Sequence, residues 1–318
     1  MNQLESLKKH SIIVVDSGDI EQISKFSPSD ATTNPSLILH SILSKKYEFI
    51  FENSLKYARL KGGTHKKKIM NAGDRIAVMF GKEILKYIPG YISTEINSKF
   101  SFNIEECVQK AEKLINMYGE MGVKKSRILI KLAATWEGVQ AAKILKKKAI
   151  LCNLTLVFSF AQAQICAESG VFLISPFVGR ISDWYMKNFD SKNISKEEDK
   201  GVLALKKIFY YYKKYNYKTI IMGASFRNIQ QIFSIAGCDK ITISPILLNI
   251  LKNTVGDVPL RLNKFDIEKN FKIPKFLKED EFRWLHNQDM MAVEKLSEGI
   301  RQFNKDQNSL DKLISQNL

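Results

Sequence analysis

The sequence predicts a parallel (β/α)8 barrel with an additional C-terminal helix across the barrel mouth. Short apolar, β-rich runs alternate with longer amphipathic stretches about eight times along the chain, the pattern of consecutive βα units closing on themselves. Polar and ionisable side chains also gather near the C-terminal ends of those runs, where barrels of this kind carry their functional groups. The length of 318 residues fits one barrel, and no Pro/Gly/Ser-rich linker divides it, so residues 1–318 are expected to form one domain.

The strand candidates, in order, are "SIIVVDS" (11–17), "DATTNPS" (30–36), "YISTEI" (91–96) and "RILIKLA" (127–133). They continue with "CNLTLVF" (152–158), "VFLISPF" (171–177), "KTIIMGAS" (218–225) and "KITISPI" (240–246). The second is the weakest by composition, because its proline cannot donate to a ladder. Between the strands, "IEECVQKAEKLINMYGEMG" (104–122) and "WEGVQAAKILKKK" (136–148) read as amphipathic helices ending near a glycine or a basic cluster. The segment 252–281 is polar and reads as a long irregular loop, followed by a final helix over 287–314.

Composition bounds the function less tightly. Lysine and arginine outnumber aspartate and glutamate by 49 to 33, a net charge of +16 that would suit nucleic acid, anionic lipid or phosphorylated substrates. The lysines are spread through helix-like segments in a chain biased toward Lys, Asn and Ile, which reads as solvated helix faces rather than a nucleic-acid surface. The four cysteines form no CxxC pair, arguing against zinc and a disulfide framework and for a reducing cytosol. The N-terminal apolar run is too short for a signal-peptide core, and the most apolar window (149–167) is broken by polar residues, so a cytoplasmic protein with no membrane span is expected. GxGxxG, P-loop and HExxH motifs are missing, and no histidine falls in a strand candidate, which speaks against a histidine triad or a metal site.

Lys131 is the odd residue, an ammonium inside an apolar strand. Burying an unpaired charge is costly enough that such a group finds a partner or changes its protonation. Alternation puts Leu129, Lys131 and Ala133 on one face and Ile128, Ile130 and Leu132 on the other, so Lys131 is expected to look into the barrel. Other strand ends supply Asp16, Thr32 and Asn34, Ser93 and Glu95, Asn153 and Thr155, Ser175 with Arg180 beyond it, and Ser225 with Arg227. Partial desolvation keeps part of a lysine population neutral, and a neutral amine condenses with a ketone to a Schiff base that draws electrons from the adjacent bond. Two carboxylates nearby would move the protons. The alternative for Lys131 is an ion pair with one of those carboxylates. Arg180 and Arg227 suit phosphate, whose oxygens match the guanidinium fork, and "GASFR" (223–227) lies at a late strand end where barrels often bind it. Taken singly, each arginine would also serve as a surface ion-pair partner.

With those residues in view, the sequence closely resembles transaldolases of the long bacterial and eukaryotic type. The matching stretches are "DSGD" (16–19), "DATTNPSLIL" (30–39), "ISTEI" (92–96), "RILIKLAATWEG" (127–138), "CNLTLVFSFAQA" (152–163), "GVFLISPFVGRISDWY" (170–185), "IMGASFRN" (221–228) and "HNQDMMAVEKLSEGI" (286–300). The resemblance implies a barrel enzyme of the pentose phosphate pathway that needs no cofactor, acts on sugar phosphates and is usually a homodimer. It implies Lys131 as the Schiff-base lysine, Asp16 as the acid/base at the cleaved aldol, and Glu95 as a carboxylate acting through water. It further implies a polar lining of Thr32, Asn34, Ser93, Asn153, Thr155 and Ser175 around a dihydroxyacetone unit, and a phosphate site of Arg180, Ser225 and Arg227. Fructose 6-phosphate aldolases share the fold but resemble a shorter form, with Gln and Tyr where this chain has Glu95 and Phe177; transfer rather than simple cleavage is therefore expected. A basic nucleic-acid-binding protein on a barrel scaffold is the rival of another class, with charge as its sole support.

Overall fold

A computed structural model describes residues 1–189, 199–263 and 276–318. Eight strands hydrogen-bond in sequence order and close into a parallel barrel: β1 (Ile12–Asp16), β2 (Asp30–Thr32), β3 (Ile92–Glu95), β4 (Ile128–Ala133), β5 (Leu151–Val157), β6 (Leu173–Pro176), β7 (Ile220–Gly223) and β8 (Lys240–Ile243). Every expected strand is present. The second is only three residues long, because Asn34 leaves the ladder and caps the helix Pro35–Leu43, its side chain accepting from Leu37 N. A proline at the first helical turn costs nothing there, since that N–H has no partner in the helix.

Helices ring the barrel where the periodicity places them. Ile104–Glu120 is capped by Asn103, and Trp136–Lys147 is capped by Thr135 and ends in Lys146 and Lys147, charges that suit the negative end of a helix. Ile128, Ile130 and Leu132 join the large cluster between strands and helices, whereas Leu129 packs separately with Val14, Leu173 and Met222 on the inward faces. That division follows from the period of two, and it turns Lys131 inward.

The C-terminal region departs from expectation. In place of one helix over 287–314 there are two, Glu279–Gln288 and Met290–Asn317, broken at Asp289 (φ −92°, ψ 89°). Asp289 accepts from Ala292 N, so its side chain caps the second helix and makes a corner cheaper than continuation. The expected loop over 252–281 is also shorter: Lys252 and Asn253 end the helix Pro245–Asn253 and Glu279 begins the next, while 264–275 lie outside the described residues. The helix Met290–Asn317 runs over the C-terminal end of the strands, packing Met291, Leu296, Ile300 and Phe303 against Leu156, Phe158 and Phe177. A bulge in β5 between Leu154 and Val157 makes this possible, with Leu156 at φ +57° turned toward that helix. Among the described residues no helix is long and apolar enough to cross a membrane.

Candidate active site

The strands put the polar side chains at matching heights. Glu95 pairs in register with Lys131, Lys131 with Asn153, and Ala133 with Thr155, so one level of the barrel collects residues far apart in the chain. There Lys131 is 5% exposed; its Nζ lies 3.0 Å from Glu95 Oε2 and donates to the Thr33 carbonyl at 3.2 Å. The contact with Glu95 is a buried ion pair. Burial pushes the Glu95 carboxyl above its ordinary range, and Lys131 and Arg180 pull it back. The ion-pair alternative for Lys131 and its inward placement are thus both met.

A cavity of about 200 Å³ opens at this level. It is lined by Lys131, Asp16, Thr32, Asn34, Thr155 and Ser175, and also by Phe177, Arg180, Ser225 and Arg227. Three expected residues do not line it. Glu95 stands behind Lys131, and Ser93 and Asn153 form a chain beneath: Ser175 Oγ donates to Asn153 Oδ1 at 2.7 Å, and Asn153 Nδ2 donates to Ser93 Oγ at 3.1 Å. Asp16 is held by Thr32 Oγ1, which donates to its Oδ1 at 2.8 Å. Thr155 Oγ1 is buried without a hydrogen-bond partner among the described residues, although it faces the cavity. A hydroxyl in the wall of a polar cavity is placed to bond a polar group that enters it.

The arginines approach from the segments that follow β6 and β7. Arg180 sits in the first turn of the helix Val178–Asn188 rather than on the strand. Its guanidinium lies 5.1 Å from the Phe177 ring and 5.6 Å from the Phe303 ring, with no ion pair among the described residues. Burial, and then the nearby Arg227, weaken its hold on its proton, against Glu298, Asp16 and Glu95. Two cations converging on one cavity repel each other until an anion enters. Arg227 is further from this ideal: it is half-exposed and pairs with Asp183, whose Oδ2 accepts from both Nε at 3.0 Å and Nη2 at 2.7 Å while Oδ1 lies 3.2 Å from Nε. That pair occupies the Nε–Nη2 edge of the fork. Ser225 adopts φ +63°, a strained backbone for a residue with a side chain, of the kind that survives where surrounding structure over-determines it.

Sequence reasoning missed Thr242, Ser244 and Phe303 in the cavity lining, and Asp183, which lies outside that lining and pairs with Arg227. Thr242 and Ser244 come from β8 and its end, the one strand assigned no polar residue, and Thr242 Oγ1 lies 3.1 Å from Thr32 Oγ1. The inward parity of Thr242 was readable in "KITIS". Phe303 and Asp183 carried no signal, being one apolar and one charged residue in amphipathic helices.

Residues 13–314 match the family described as transaldolase/fructose-6-phosphate aldolase. The chain belongs to that family. A transaldolase of Buchnera aphidicola subsp. Cinara cedri is 59% identical over 99% of each chain. Transaldolase 1 of Pectobacterium atrosepticum is 54% identical over the full length of both. A transaldolase of Sodalis glossinidius is 53% identical over the same span. The match to the transaldolase/fructose-6-phosphate aldolase family spans both the barrel strands and most of the C-terminal helix.

Proposed function

We infer that this protein is a transaldolase, a transferase that moves a dihydroxyacetone unit from a ketose phosphate, sedoheptulose 7-phosphate or fructose 6-phosphate, to an aldose phosphate, glyceraldehyde 3-phosphate or erythrose 4-phosphate. The observation that carries it is a buried lysine amine opening on the same small cavity as Asp16 and two arginines. In this reading Lys131 attacks the C2 carbonyl, and loss of water leaves a protonated imine. Asp16 takes the C4 hydroxyl proton, the C3–C4 bond breaks, and its electron pair is held by the imine while the aldose phosphate leaves. The bound unit then attacks the acceptor aldehyde, whose oxygen recovers the proton from Asp16, and water frees the lysine.

The remaining roles are those the family resemblance implies, and placement near the cavity supports them. Glu95 steers proton transfer at the imine through a water, with Thr155 as a hydroxyl ready to hold it. Thr32, Asn34 and Ser175 orient the three-carbon unit, Asn153 and Ser93 brace Ser175 from beneath, and Arg180, Ser225 and Arg227 receive the phosphate. Glu95 and Phe177 favour transfer over the aldolase reaction named in the same family. The reading includes one domain over 1–318, a cytoplasmic location, a homodimer and no cofactor.

The test is borohydride reduction with fructose 6-phosphate followed by peptide mass mapping. A dihydroxyacetone adduct is expected on the peptide holding Lys131 and absent in Lys131→Met. Turnover of fructose 6-phosphate should require erythrose 4-phosphate; rapid turnover without an acceptor would favour the aldolase.

A further inference from the structure

The C-terminal helix brings into the cavity an aromatic ring that no strand supplies. Phe303 is 2% exposed and lines the cavity, with its ring centroid 6.0 Å from Lys131 Nζ and 5.6 Å from Arg180 Cζ. The helix carrying it is tied down along its length. Trp184 Nε1 donates to Glu294 at 2.7 Å, Ser98 Oγ donates to the Ile300 carbonyl at 3.0 Å, and Ser36 Oγ donates to Asp306. Gly299 permits close approach, since a Cβ there would come within 2.8 Å of Leu156 Cδ2.

We propose that Phe303 is a specificity-determining residue that keeps water from the lysine-bound three-carbon unit, so that the unit leaves by transfer rather than by hydrolysis. This rests on the transaldolase reading. Once the C3–C4 bond has broken, the electron pair on C3 has two outlets. It can form a carbon–carbon bond to the acceptor aldehyde. Alternatively C3 takes a proton, water adds to the imine carbon, and the C–N bond breaks to release dihydroxyacetone and the free amine. The second outlet needs a mobile water above the imine, and a phenyl ring fills that space while offering no hydrogen bond. Its face also suits a neighbouring cation, which both the ammonium and the protonated imine are. The polar residues needed for the final hydrolysis, Glu95 and Thr155, come from the strands, so transfer and hydrolysis are separated by how freely water enters rather than by loss of the machinery.

The experiment measures, for each variant, release of free dihydroxyacetone from fructose 6-phosphate alone and transfer to erythrose 4-phosphate. The ratio of release to transfer is expected to rise about tenfold in Phe303→Ala and less in Phe303→Leu, a change corresponding to one decade in relative rate. Glu294→Gln, which loosens the same helix away from the cavity, is expected to leave the ratio unchanged. A Phe303→Leu protein in which both rates fall together at constant ratio overturns the proposal, as does a rise of equal size in Glu294→Gln. Should the unaltered protein yield neither a borohydride-trapped adduct nor transfer, the transaldolase reading fails instead.

Discussion

Lys131 Nζ and Glu95 Oε2 stand 3.0 Å apart although their side chains are only 6% and 5% exposed. Breaking such a pair by removing one partner strands the other charge, whereas removing both is often neutral or better. In Lys131→Met, burial still raises the Glu95 carboxyl and only Arg180 lowers it. A carboxyl whose folded pKa exceeds its unfolded value keeps full stability below the unfolded pKa and loses it as pH rises toward the folded one. Lys131→Met is therefore expected to lose stability above the ordinary value of 4.5 relative to Lys131→Met/Glu95→Gln. The gap should reach about 1–3 kcal/mol in the neutral range. Thermal unfolding of both proteins at acidic and neutral pH measures it, and a gap that ignores pH would remove Glu95 as its source.

Thr155 offers the reverse case of a hydroxyl with an energetic cost. Because its Oγ1 is buried with no protein partner among the described residues, Thr155→Val should stabilise the fold by about 1 kcal/mol while lowering activity. Thr32→Val, which deletes the bond to Asp16, should instead destabilise by a similar amount. Melting temperatures and transfer rates of the two variants, moving in these directions, check the assignment.

Arg227 is expected to report on phosphate through Asp183. Arg227→Ala should raise KM for phosphorylated sugars far more than for unphosphorylated acceptors. Asp183→Asn, which loosens a fork now fixed at 3.0 and 2.7 Å, should do so more mildly with kcat nearly unchanged. Equal effects on both substrate classes would take Arg227 out of this role.

Gly179 lets the start of the helix Val178–Asn188 touch the segment after β7. A Cβ there would meet the Ser225 carbonyl oxygen at 2.1 Å, and backbone cannot yield as a flexible side chain does. Gly179→Ala is expected to cost about 1–3 kcal/mol and to weaken binding of phosphorylated substrates together with stability. Denaturant unfolding and KM measured on one preparation test this. A fully stable variant would mean the loops adjust freely.

The sequence by itself determined the eight strands, their inward and outward faces, and the presence of Lys131, Asp16 and the arginines near strand ends, because the strand period and the apolar runs are local properties. What only the tertiary structure decided is which of these groups meet. Strand register set Glu95 against Lys131 and left Ser93 and Asn153 outside the cavity lining. Closure between the first and last strands brought Thr242 to Thr32, 210 positions away. The corner at Asp289 aimed a separate helix so that Phe303 faces the amine, and Asp183 took one edge of Arg227. Such partners are joined by packing across long stretches of chain, where neither periodicity nor motif spacing carries information.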